Sequence, residues 1–166
     1  VAMGDRSEEG RLSFSGDALP GQYQMTLAGG AWNELSERGL GVLRRSTAHE
    51  AAHLWQQAAR PKSDAVPGWI HEGGADALAA EAMAASGRWS VEEKAADLER
   101  AKRQCANALR QTSLNRIEAA AQWDDVYACG HIINVAAAGE AGVAAFWREF
   151  IARSAAEGYD EAGFLA

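Results

Sequence analysis

The stretch His49-Glu50-Ala51-Ala52-His53 constrains this chain more than any other. It sits in a segment, Gly41 to Arg60, that reads as helix. On an α-helix, residues four apart lie one above the other on the same face. The spacing therefore predicts that His49 and His53 point imidazole nitrogens at one ion. Glu50 follows about 100° round the helix. That puts it beside the ion but poorly placed to ligate it, which suits a general base acting on metal-activated water. Two histidines do not complete such a site, because a catalytic zinc takes three protein ligands and keeps one position open.

Glu72 is the candidate third ligand, in Trp69-Ile70-His71-Glu72-Gly73-Gly74-Ala75-Asp76. Eighteen residues separate it from His53. That is room for one helix to end, a turn through Pro61 and Pro67, and a second helix to return past the first. Asp76 follows Glu72 by four residues and shares its helix face. A carboxylate there is placed to take the other N–H of a ligating histidine. His71 points about 100° away from Glu72, toward the cleft wall or solvent and not toward the ion.

These residues resemble the gluzincin metallopeptidases, in particular the aminopeptidase N-like family and its glycyl aminopeptidase relatives. The likeness lies in H-E-x-x-H, the eighteen-residue gap and W-x-x-E-G, and runs from about Gly29 to about Ala138. Trp55, two residues after His53, matches a tryptophan common there. Tyr127-Ala128-Cys129-Gly130 is similar to the family's Y-x-K-G, with Cys129 in place of lysine. The resemblance implies a zincin catalytic domain, thermolysin-like, whose active-site helix crosses under an edge strand while a helical lobe carries the third ligand. It implies one zinc ion per chain, a peptide or protein substrate, Glu50 as general base and Tyr127 as donor to the tetrahedral oxyanion. In the family's aminopeptidases a G-A-M-E-N segment holds the substrate's free amine. Gly30, Ala31, Asn33 and Glu34 are the corresponding substrate-binding candidates. Trp32 stands for the methionine, Asn33 for the amine-binding glutamate, and Glu34 comes one place late. A plain Gly-rich turn reads equally well there. Aminopeptidase is thus the expected activity. Endopeptidase and a non-catalytic zincin-scaffold binding module stay open.

At 166 residues, the chain has the length of a single domain, residues 1–166, with a real core. Its charge is −7, from 16 Lys+Arg against 23 Asp+Glu. That balance argues against a nucleic-acid or anionic-membrane partner, which calls for a basic patch. No apolar run is long enough for a membrane span. Val1 to Glu9 shows no basic segment leading into an apolar one, so no signal-peptide pattern. A start at Val leaves room for an upstream part. Cytoplasmic and exported locations both remain open. Cys105 and Cys129 either pair, if exported, or sit reduced in a core.

The expected fold class is α+β, mostly α, with a small antiparallel β piece at the N-terminal side. Residues 1–10 read as loose. Arg11 to Ser15 and Gln22 to Leu27 alternate as strands, with Gly16-Asp17 and Pro20-Gly21 as turns. The zinc helix is expected to stop before Pro61, with Lys62-Ser63-Asp64 as loop. Pro67 and Gly68 open the Glu72 helix, which runs to about Ser86. Ser90 and Glu93 form a capping-box pattern ahead of an outer amphipathic helix with no site residues. Leu114 to Ala121 gives a short helix, and Asp124 is the candidate cap of the next. That helix carries Tyr127, His131 and Val135 on one face. His131, one turn past Tyr127, is a core, cleft-wall or substrate-contact candidate. Val143 to Ala155 supplies aromatic core, and Gly158 to Ala166 docks or leads into further chain.

Overall fold

The computed structural model of the chain describes residues 11–34, 36–59 and 66–166. The expected loose residues 1–10, and the helix end and loop at Arg60, Pro61, Lys62, Ser63 and Asp64, lie outside them. The described chain is mostly helical, with one two-stranded antiparallel sheet. Strand β1 spans Ser13–Leu19 and β2 Gln22–Ala28, paired in register from Ser13↔Ala28 to Leu19↔Gln22. The turn at Pro20-Gly21 joins them, and Gly21 takes a positive φ of 74° that suits glycine.

Gly16-Asp17, expected as a turn, lies inside β1. Glycine is required there for a tertiary reason: a Cβ on Gly16 would collide with the Glu50 carboxylate of the helix below.

Helix α1 runs Glu37–Gln56, starting four residues earlier than the reading from Gly41. Ser36 makes the difference, its Oγ accepting from Gly39 N–H at 3.1 Å as an N-cap. Helix α2 (Gly68–Ala85) is buried on nearly every side. Its small residues allow this. Gly74 admits the Trp147 indole, and Gly73 meets the backbone of Gly130 directly. Helix α3 (Val91–Leu109) opens with the capping box of Ser90 and Glu93. The short α4 (Leu114–Ala119) leads to α5 (Trp123–Ala138). Gln122, not Asp124, precedes α5; Asp124 sits in its first turn, where the helix dipole favours an acid. Helix α6 (Val143–Ser154) starts on the Glu81 carboxylate, which accepts from Val143 N–H at 2.7 Å and Ala144 N–H at 3.2 Å. The tail docks: α7 (Glu161–Leu165) buries Phe164, and Tyr159 is buried just before it.

The core gathers Trp69, Ile70, Ile117, Val126, Trp147 and Phe150 around α2. Burying a side chain of this size contributes roughly 1.5–3 kcal/mol. Asn134 seals the α2–α5 crossing, donating to Trp69 O at 3.2 Å and Gly130 O at 2.9 Å while accepting from Trp147 Nε1 at 3.0 Å. Cys105 and Cys129, left open between two readings, are joined as a disulfide between α3 and α5, 24 residues apart in sequence. Closing a loop of that length stabilises by about 3 kcal/mol in the chain-entropy account. Among the described residues, no single helix is long and apolar enough to cross a membrane.

Candidate metal centre

His49 and His53 leave α1 on the face turned toward α2, and Glu72 leaves α2 toward them. The three side chains converge. His49 Nε2 and His53 Nε2 are 3.1 Å apart, and each is 3.2 Å from Glu72 Oε2. This His49-His53-Glu72 group could hold a metal ion.

The surroundings explain how it is held. Asp76 Oδ1 lies 2.8 Å from His49 Nδ1, and Arg45 Nη1 is 3.1 Å from the same oxygen. An ionised carboxylate only accepts, so the His49 proton in this bond sits on Nδ1. Burial opposes charge on His49, but its hydrogen bonds to Asp76 and Glu72 outweigh this and raise its pKa to about 9. Burial likewise opposes charge on the two acids. The His49 and His53 bonds nevertheless hold Glu72 well below the usual carboxylate range, and His49 with Arg45 holds Asp76 at about 2. In the metal-free protein the raised His49 pKa puts a proton on Nε2 facing Glu72 Oε2 as well as the one on Nδ1 facing Asp76.

Glu50 is 8% exposed, under β1. Burial raises its pKa above the ordinary glutamate value. Tyr127, on α5, places its ring 5.8 Å from that of His49. Burial first, and the Glu72 charge next, push its hydroxyl pKa up, so it keeps its proton. The meeting of Gly73 with Gly130 sets how closely α5, with Tyr127, approaches α2, with Glu72. Each glycine lies within three residues of a site residue, and a methyl on either would separate the helices that carry Glu72 and Tyr127.

A cleft of about 580 Å³ opens over these groups. Its far wall is β1, from Phe14 to Ala18. Gly30, Ala31, Asn33 and Glu34 do not line it. Gly30 and Ala31 belong to a 3₁₀ turn, Gly30–Trp32, that anchors the hairpin through Trp32 Nε1 donating to Ser13 O at 2.8 Å. Asn33 and Glu34 are exposed beyond that turn. The acids that line the cleft besides Glu50, Glu72 and Asp76 are Asp17 on β1 and Asp124 on α5. His131 is also away from it. It is 3% exposed, with Nδ1 3.9 Å from Asp97 Oδ2, and lines an adjoining pocket of about 330 Å³ behind Asp76. Asp97 Oδ2 is the one buried side-chain oxygen without a hydrogen-bond partner among the described residues. The outer helix α3, expected to hold no site residues, also brings Arg100 to the cleft.

His71 lines the cleft, stacked on His53 at 4.5 Å between centroids. Its Nδ1 is 2.5 Å from the Tyr159 hydroxyl. Burial and the neighbouring His53 lower its pKa to about 4, so the ring is neutral. Sequence reading missed Tyr159, Arg45 and Gln56. Gln56, three residues past His53 on the same helix face, was the one with a local signal.

Among protein-family profiles, curated proteins and solved structures, none matches this chain.

Proposed function

We propose that this chain is a zinc-dependent metallopeptidase of gluzincin type, built on a zincin catalytic fold. One observation carries the reading. The three ligand atoms form a triangle with edges of 3.1–3.2 Å. Zinc bonds of about 2.0–2.1 Å at tetrahedral angles set ligand atoms roughly 3.3–3.4 Å apart. Two imidazoles and a carboxylate are a donor set that zinc favours, and a triangle leaves the fourth position to the cleft.

When bound, zinc makes hydroxide available near neutral pH and polarises the scissile carbonyl. Glu50 then takes the proton of the attacking water and passes it to the leaving amine. Its raised pKa suits both halves of that task. Tyr127 donates its retained proton in a hydrogen bond to the developing oxyanion. Asp76 keeps the His49 proton on Nδ1 and its ring in place. The β1 residues of the cleft wall, Phe14 to Ala18, are the surface along which an extended peptide would lie.

Aminopeptidase action needs an acid for the substrate's amine. Glu34 does not line the cleft, whereas Asp17 and Asp124 do. Endopeptidase action is the alternative. Hydrolysis of one peptide series with free and with blocked N-termini separates them, with Glu50→Gln as control and zinc content measured alongside. Cleavage of free termini alone means aminopeptidase, and cleavage of blocked peptides means endopeptidase. Zinc bound with neither cleaved would favour a binding module.

A further inference from the structure

Gln56 is 0% exposed and lies one turn past His53 on the same face of α1. Its amide makes two hydrogen bonds. Nε2 donates to the His71 carbonyl at 2.9 Å. A carbonyl oxygen has no hydrogen to give, so the NH₂ end of the amide must face His71. The other end, Oε1, then faces His53 Nδ1 at 2.8 Å. Oε1 has no hydrogen either, so the proton in that bond belongs to His53 Nδ1. A neutral His53 therefore presents a bare Nε2 to His49 Nε2 and Glu72 Oε2. An imidazole left to water favours the opposite tautomer, with its proton on Nε2, and the buried amide leaves no room for water to take its place.

We infer that Gln56 is the positioning residue that presets His53 for the metal, by holding the ring proton on Nδ1 and tying α1 to the peptide just before Glu72. This rests on the metal-site reading above and adds to it which buried group prepares the second histidine. Asp76 does this for His49 with a charge. Gln56 does it for His53 with a neutral amide, and the amide is oriented by α2 itself. One side chain thus sets the tautomer of one ligand and the backbone position of another.

The test uses the whole chain, metal-free, with zinc affinity measured by competition against a chelating dye at fixed pH. Gln56→Met keeps the volume and removes both hydrogen bonds. Its zinc affinity is expected to fall about 10–100-fold, the usual loss when a partner of a metal ligand is removed. Gln56→Glu keeps an acceptor for His53 but loses the donor to the His71 carbonyl, and is expected to recover only part of that loss. Nitrogen-15 spectra of the metal-free imidazoles give a readout that a merely structural role would not move. They are expected to show His53 protonated on Nδ1 in the wild type and on Nε2 in Gln56→Met. Unchanged affinity in Gln56→Met, or a wild-type His53 protonated on Nε2, overturns the inference. The second result stands even if the variant fails to fold. A wild type that takes up no zinc overturns the metal-site reading itself, and this inference with it.

Discussion

The helical wall of the cleft, α2 against α5, meets backbone to backbone at Gly73 and Gly130, while the strand wall, β1, is attached by side chains. Asn134 ties α5 to α2 beside that contact, and the Cys105–Cys129 disulfide pins α5 to α3 behind it. The strand wall hangs on Gln57 Nε2 donating to Leu19 O at 3.2 Å, Thr47 Oγ1 to Met25 Sδ at 3.6 Å, and Trp32 to Ser13 O. Phe14 on β1 and Tyr23 on its partner β2 stay 48% and 39% exposed. A two-stranded hairpin has little stability of its own. Glu72 and Tyr127 come from the closely packed wall, and on the proposed reading the surface facing a substrate comes from the lightly held one.

The largest expected effect lies between the walls. Glu50→Gln is expected to keep zinc and to lower kcat by about 10²–10⁴; loss of zinc instead would make Glu50 a ligand and end its role as base. On the rigid wall, Tyr127→Phe is expected to lower kcat by about 10²–10³ with KM little changed. A variant as fast as wild type removes Tyr127 from the chemistry. Two glycines then compare the walls directly. Gly130→Ala pushes backbone against backbone and is expected to cost about 3 kcal/mol or more in urea unfolding. Gly16→Ala pushes a methyl at the Glu50 side chain, its carboxylate and Cγ, as the nearest atoms. It is expected to cost under about 1 kcal/mol in stability, yet about 10² in kcat by displacing the base. Equal unfolding costs for the two would erase the contrast.

The smallest effect is on pH. His49 has its folded pKa raised, to about 9 from 6.5, so its contribution to metal-free stability is full below pH 6.5 and is lost as pH rises toward 9. His71 has its folded pKa lowered, to about 4, so its contribution is present above pH 6.5 and is lost as pH falls toward 4. The melting temperature of the metal-free chain is expected to peak near pH 6.5, and zinc to lift the alkaline side by replacing the His49 proton. A metal-free profile that rises from pH 6.5 to 9 would contradict this.

What the sequence made legible was local. The i, i+4 histidines, the carboxylate on a following helix and Asp76 one turn beyond it follow from helix geometry, and the structure gathers all four. The mostly helical fold with its hairpin was legible for the same reason. What was not legible depended on contacts between distant segments. Gly16-Asp17 has turn chemistry, but Gly16 is glycine because Glu50 lies beneath it. Gly30 to Glu34 begins like a substrate-binding segment, yet Trp32 turns it into an anchor for the hairpin. Asp97 and Arg100 read as the solvated face of an outer helix, because nothing in α3 reveals that α5 and the cleft lie against it. Tyr159 reaches His71 across 88 residues of sequence.

The disulfide has a consequence for how the chain breaks. The 24-residue stretch it closes holds α4 and the exposed turn at Ala121, where φ is 54° in a residue that is not glycine. Exposed turns of this kind are where proteases cut. A chain nicked there would run as one band on a gel without reductant and as two with it. His49, His53 and Glu72 would all travel with the larger piece, and Tyr127 with the smaller.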